Sequence, residues 1–396
     1  MDVAMTLATL FLILLLLASA AISLLLVRLC LAALRSTCTS NSKPTTTYSP
    51  AASDPETPPQ QQHDMALLVV PPKTNMKEPR RLAWRELEAL TGGFDEAAVV
   101  GRGGSGNAVY LAKFGVDGSP AAVKVHRWCG GAERRLAAFR RELDLLRRVG
   151  RHPRLVALLA YSDDHEEGGA LVLEYMSGGT LAERLHADTR PLSWRHRMRV
   201  LHDVALALEH LHDNVSVVHG DVSASNVLLD DAGAARLCDL GSACEATFSA
   251  AVAPGRRGAA AAVGSPGYAD PFFLRTGIMS KKSDVYGFGV LMLEVVTGSP
   301  AAGTSDGSGG EYLTAKILSR VRATRAAGLV DARLGNEYDV AEAGAMANLA
   351  VECVAAQPAL RPTMAQVRAV VAETAATSIL TDGSEHKLLD LFRTTS

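Results

Sequence analysis

Apolar and polar positions along the chain fall into regimes that imply different physical settings. From Val3 to Val27 no side chain is charged. At about 1.5 Å per residue a helix over this run exceeds a hydrocarbon core of about 30 Å, so the run predicts a membrane-spanning helix. Arg28, Arg35 and Lys43 follow it and only Asp2 precedes it, which puts everything after Val27 in the cytosol and leaves almost no ectodomain. Ala18-Ser19-Ala20 resembles a signal-peptide cleavage site. The absence of a basic segment before the run, and its length, favour an anchor over a cleaved leader. Residues 28–80 are rich in Ser, Thr, Pro and Gln (Thr45-Thr46-Thr47, Pro58-Pro59-Gln60), a composition that buries no core and predicts a disordered juxtamembrane linker.

Regular patterning begins at Trp84, Leu87 and Leu90, spaced for one face of a short helix. Val100-Gly101-Arg102-Gly103-Gly104-Ser105-Gly106 then leads into Ala108-Val109-Tyr110-Leu111-Ala112, which reads as a strand, and Ala121-Ala122-Val123-Lys124-Val125 reads as the next. Leu136, Phe139, Leu143 and Leu146 share one helical face, and Glu142 adjoins it. Further on, two apolar strands, Val217-Val218 and Val227-Leu228-Leu229, flank a polar loop. The acidic stretch Asp163 to Glu167 reads as a solvated turn between strands, the Ala-rich run Ser249 to Val263, which has no patterned core face, as a mobile segment, and the glycine- and serine-rich run Gly303 to Gly310 as a surface loop. The plan is an anchor (3–27), a linker (28–80), a folded domain (81–376) and a tail (377–396).

Composition narrows the function class. With 40 Lys+Arg against 42 Asp+Glu, the charge balance offers no electrostatic footprint for nucleic acid. The 48% hydrophobic content suits a globular chain with two sizeable cores. Six cysteines without a CxxC pair fit free thiols in a reducing compartment.

The chemistry lies in the loops between these elements. Gly101, Gly103 and Gly106 have no Cβ, so backbone N–H groups there can approach a phosphate; an ordinary glycine-rich hairpin has the same spacing. Lys124 on an apolar strand needs an anionic partner, and Glu142 reaches it if the helix packs on the sheet. The run His219-Gly220-Asp221-Val222-Ser223-Ala224-Ser225-Asn226, followed by Asp239-Leu240-Gly241, supplies one acid to orient an attacking hydroxyl. Asn226 and the second acid add hard oxygen ligands for Mg²⁺.

With these motifs in order, the stretch from about Phe94 to Val371 resembles the eukaryotic protein kinases, and within them the plant receptor-like kinases. The resemblance implies an α+β bilobal fold, with a β-rich small lobe to about Met176 and a helical large lobe, behind the N-terminal transmembrane helix. It implies transfer of the ATP γ-phosphate to Ser or Thr of protein substrates. Val100, Gly101, Gly103, Gly106, Val109, Ala122, Lys124 and Glu142 would form the nucleotide site, and Glu174 and Met176 would present hinge backbone groups to adenine. Asp221 would be the catalytic acid–base group, with Asn226 and Asp239 holding Mg²⁺. Gly264-Ser265-Pro266-Gly267-Tyr268, Ser283 to Gly289 and Arg361-Pro362-Thr363 match landmarks of the plant group. The implied setting is the plasma membrane, with the kinase cytosolic and a ligand-binding receptor kinase as a partner. A pseudokinase scaffold or co-receptor that binds nucleotide or partner proteins without efficient catalysis is the competing reading.

Several positions depart from the family. Gly220 stands where most members have Arg, so activation by a loop phosphate is not implied. Ser223 replaces the Lys that neutralises the γ-phosphate in Ser/Thr members, which should slow transfer. Leu240 replaces Phe and keeps apolar bulk. Phe272 replaces a Glu that pairs with Arg361, which points Arg361 to another partner, Glu352.

Overall fold

The computed structural model of the chain describes residues 78–103, 107–128, 132–166, 168–187, 191–246, 264–303, 312–323 and 328–380. The expected anchor Val3 to Val27, the linker up to residue 77, Gly106 and the Ser249 to Val263 run lie outside the described residues. Among the described residues no helix is long and apolar enough to cross a membrane.

The small lobe is built on a six-stranded sheet. Its strands are β1 (Arg80–Arg81), β2 (Val99–Arg102), β3 (Ala108–Phe114), β4 (Ser119–Arg127), β5 (Leu158–His165) and β6 (Gly168–Glu174). They lie in the order β1-β5-β6-β4-β3-β2, with β1 parallel to β5 and the remaining pairs antiparallel. The period of two along a strand assigns the two faces. Val123 and Val125 join Tyr110, Val172 and the Trp84–Leu90 helix (α1) in one apolar core. Ala122 and Lys124 take the opposite face, and Val109 is directly across from Lys124. The expected acidic loop is partly strand. β5 continues to His165, whose ring stacks on Trp84, while Asp163 pairs with Arg81.

Helix α2 (Ala132–Val149) packs against the sheet through Phe139, Leu143 and Leu146, as the spacing predicts. The large lobe is mainly helical, with α3 (Leu181–His186), α4 (Trp194–Glu209), α5 (Pro271–Thr276), α6 (Lys281–Thr297), α7 (Leu313–Ala323), α8 (Val340–Cys353) and α9 (Met364–Thr374). Helix α6 is buried from Asp284 to Val296 and is the axle of this lobe. A last helix, α10 (Ala376–Leu380), continues the fold, with Ser378 donating to buried Glu342 at 2.7 Å. Two short ribbons complete the lobe junction: β7 (Val217–Val218) pairs with β10 (Cys244–Glu245), and β8 (Val227–Leu229) pairs with β9 (Ala235–Leu237). The bilobal α+β organisation is the expected one.

Arg361 does not use Glu352, which is exposed. Its two terminal nitrogens donate to the two carboxylate oxygens of Asp270, both at 2.8 Å, and both side chains are buried. Asp270 can take this role because it caps the N-terminus of α5, two residues before Phe272. Phe272 instead lies under the Arg275 guanidinium.

Candidate active site

Between the lobes lies a cleft of about 300 Å³. Its small-lobe wall is the hairpin of β2 and β3 with the cleft-facing row of β4: Val100, Gly101, Gly103, Val109 and Ala122. Leu228 of β8 supplies apolar surface from the other lobe, and Leu173, Glu174 and Met176 close the back. A mostly apolar cleft of this size suits an aromatic base. The N–H of Glu174 donates to the Ala157 carbonyl at 3.0 Å, and its carboxylate pairs with Arg236 of β9.

Lys124 is buried in the lining of the cleft. Its Nζ donates to Glu142 Oε1 and to Asp239 Oδ1, both at 2.7 Å. Burial alone would lower the Lys124 pKa, but the two carboxylates outweigh it and hold the ammonium above its ordinary range. Burial raises Glu142, and Lys124 only partly offsets it. Burial would also raise Asp239, but the Lys124 charge and the Gly241 N–H hold it below the usual carboxylate range. Asp239 adopts a left-handed backbone, φ 63°, that lets its side chain accept from Gly241 N–H at 3.1 Å. A non-glycine residue in this region is strained and is tolerated where the surroundings over-determine it.

Asp221 lies in the loop after β7. Buried Asp284 of α6 shapes that loop by accepting from His219 N–H and Gly220 N–H at 2.8 Å each and from His212 at 2.7 Å. His219 Nδ1 accepts the Asp221 N–H at 3.2 Å, which leaves Nε2 to donate to the Cys238 carbonyl at 2.9 Å. Asn226 Nδ2 donates to the Asp221 carbonyl at 2.8 Å and to its Oδ2 at 3.0 Å. With its amide nitrogen so engaged, Asn226 lines the cleft together with Asp239. Among the described residues no group of three or more His, Cys, Asp or Glu side chains gathers to cage a metal. Two hard oxygen ligands fit Mg²⁺, which keeps waters and takes the rest of its shell from phosphates.

Of the expected site residues, Val100, Gly101, Gly103, Val109, Ala122, Lys124, Glu174, Met176, Asn226 and Asp239 line the cleft. Glu142 pairs with Lys124, Asp221 borders a separate, smaller cavity, and Gly106 lies outside the described residues. Sequence reasoning missed Leu228, although the run Val227-Leu228-Leu229 alternates buried, half-buried and buried. It also missed His126, which is buried beside Glu142 and pushed down to about 4 by burial and by the Lys124 charge. Cys238 lines the cleft with its thiol pushed up to about 12 by burial.

Comparison with known proteins agrees with this geometry. The family model described as "Protein kinase domain" matches residues 94–371. A rice (Oryza sativa subsp. japonica) protein named salt tolerance receptor-like cytoplasmic kinase 1 is 46% identical over 306 residues, covering 75% of this chain and 81% of its own. A probable receptor-like protein kinase of Arabidopsis thaliana is 39% identical over 300 residues, covering 72% of this chain and 85% of its own. A probable LRR receptor-like serine/threonine-protein kinase of the same plant is 32% identical over 305 residues, 75% of this chain and 34% of its own. A bilobal fold, and a lysine in its cleft that bridges a helix acid to a second acid, are thus carried by a chain that belongs to the protein kinase family.

Proposed function

We propose that this chain is a Ser/Thr kinase that transfers the ATP γ-phosphate to protein substrates, working at the cytosolic face of the plasma membrane beside a ligand-binding receptor kinase. The observation that carries the reading is the Lys124 bridge between Glu142 and Asp239 in a cleft that Asn226 also lines, with the Asn226 amide in turn hydrogen-bonded to Asp221. Val100, Val109, Ala122 and Leu228 would sandwich the adenine, with backbone groups of Glu174 and Met176 at its edge. Lys124 would hold the α- and β-phosphates, and Gly101, Gly103 and Gly106 would let the loop backbone cover them. Asn226 and Asp239 would hold Mg²⁺, which supplies charge neutralisation at the phosphates when bound. Asp221 accepts the proton of the acceptor hydroxyl as that oxygen bonds to the γ-phosphorus, the bridging P–O bond breaks and ADP leaves. Ser/Thr selectivity is supported by the names of the relatives, and membrane tethering by the uncharged run Val3 to Val27. The domain plan of anchor, linker, kinase domain and tail belongs to the same proposal.

Incubating the full chain in detergent with γ-labelled ATP and Mg²⁺ tests the activity. Label is expected on serine or threonine of the chain or of a generic basic acceptor protein, and Lys124→Met should remove it. Nucleotide that raises the melting temperature without any label transfer would support the scaffold reading instead. Carbonate extraction of membranes tests the tether: the full chain should stay in the pellet, and deletion of Val3 to Val27 should release it.

A further inference from the structure

The segment Gly264 to Tyr268 is tied to the loop that carries Asp221 at three points. The Ser265 N–H donates to Asp221 Oδ1 at 2.7 Å. Ser265 Oγ donates to Ser223 Oγ at 3.0 Å. Tyr268 Oη accepts from the Ala224 N–H at 3.2 Å and donates to Glu294 of α6. With Asn226 on the other oxygen at 3.0 Å, the Asp221 carboxylate is held from both sides by neutral donors. One of those donors, the Ser265 N–H, belongs to a half-buried residue whose own side chain is anchored on Ser223. Ser223 is completely buried, with 0% exposure, and its extended backbone directs it at Ser265.

Position 223 is one of the family departures noted above: a hydroxyl stands where the resemblance leads one to expect an ammonium. A hydroxyl cannot neutralise a phosphate, but it can fix a neighbour. We propose that Ser223 is a positioning residue in this chain. Its hydroxyl anchors Ser265, the Ser265 N–H fixes Oδ1 of Asp221, and the carboxylate is thereby aimed at the acceptor hydroxyl without a cation in the catalytic loop. This rests on the phosphotransfer reading above. The alternative role for the two hydroxyls is an ordinary loop contact that contributes stability alone.

The two roles separate in the rate constants of the full chain in detergent. The panel is wild type, Ser223→Ala, Ser265→Ala, the double variant and Ser265→Thr, compared for kcat, KM for ATP and melting temperature. Loss of one neutral hydrogen bond that orients the carboxylate should lower kcat about 3- to 10-fold in each alanine variant. KM for ATP should stay at the wild-type value, and the melting temperature should fall by no more than the few degrees one lost hydrogen bond costs, which leaves every variant folded at the assay temperature. Because both hydroxyls act through one link, the double variant should be no slower than the slower single variant. Ser265→Thr keeps the hydroxyl and should keep the wild-type kcat. Alanine variants with wild-type kcat, losses that multiply in the double variant, or a kcat that returns to the wild-type value when the assay is run well below each variant's melting temperature would overturn the proposal. An active wild type with indifferent alanine variants removes only this inference. A wild type that transfers no phosphate removes the kinase reading and this inference together.

Discussion

Replacing Asp270 by Ala isolates one buried ion pair, and its consequence can be worked out from the contacts. The Arg361 guanidinium is 2% exposed as a residue and makes four hydrogen bonds: two to Asp270, one to the Ala355 carbonyl and one to the Lys282 carbonyl. Removing the carboxylate leaves a buried cation with two neutral acceptors, which costs about 3–5 kcal/mol. Asp270 also caps α5 by accepting from the Phe272 N–H at 2.9 Å, and losing a cap costs about 1 kcal/mol more. The total, about 4–6 kcal/mol, is a large share of the roughly 5–15 kcal/mol that holds a domain together. Urea unfolding followed by tryptophan fluorescence should show the midpoint collapse. Converting the pair to apolar residues, Asp270→Leu with Arg361→Met, should recover most of the loss, since a buried pair and its apolar replacement are close in stability. An Asp270→Ala variant within about 1 kcal/mol of wild type, or a double variant no better than the single one, would refute the reasoning.

Gly220 sits at φ 81°, and a Cβ there would lie 2.7 Å from the Ser242 carbonyl oxygen and 2.9 Å from Met279 Sδ. Gly220→Ala should therefore cost about 2–4 kcal/mol in urea unfolding, from the left-handed backbone and the clash together, and Gly220→Arg should cost more. The pH dependence of stability follows from His126. Its pKa falls from 6.5 in the unfolded chain to about 4 in the folded one, so between these values only the unfolded state binds the proton. Its contribution is present above pH 6.5 and is lost as pH falls toward 4, at a slope of up to about 1.4 kcal/mol per pH unit. His126→Asn should flatten that stretch of the stability profile, and an unchanged slope would count against the burial of His126 as its cause.

Much of this site could be read from residue types and spacing. The β2–β3 glycine hairpin, the period of two that puts Ala122 and Lys124 on one face, and the helical face that brings Glu142 to Lys124 are local patterns, and local patterns survive folding. What escaped depends on pairs distant in sequence. Asp270 and Arg361 are 91 residues apart, and nothing along the chain marks Asp270 as the partner rather than Glu352. Ser265 and Ser223 are 42 residues apart, and each alone is an ordinary loop serine. Gly220 reads as a missing arginine in the sequence, whereas the structure adds that its backbone and the Ser242 carbonyl leave no room for a side chain. His126 looks like a strand residue of no special kind until burial beside Lys124 and Glu142 sets its charge.

The most direct test of the central claim compares wild type with Asp221→Asn under saturating ATP and Mg²⁺, reading phosphate transfer and nucleotide-induced stabilisation on the same sample. Asn keeps the shape of the side chain but cannot take the acceptor proton, so transfer should fall by about 10²- to 10⁴-fold. Lys124, Asn226 and Asp239 remain in place, so the rise in melting temperature on adding nucleotide should match that of wild type. Transfer that persists in Asp221→Asn at the wild-type rate would contradict the assignment of Asp221 and, with it, the account of this cleft as a phosphotransfer site.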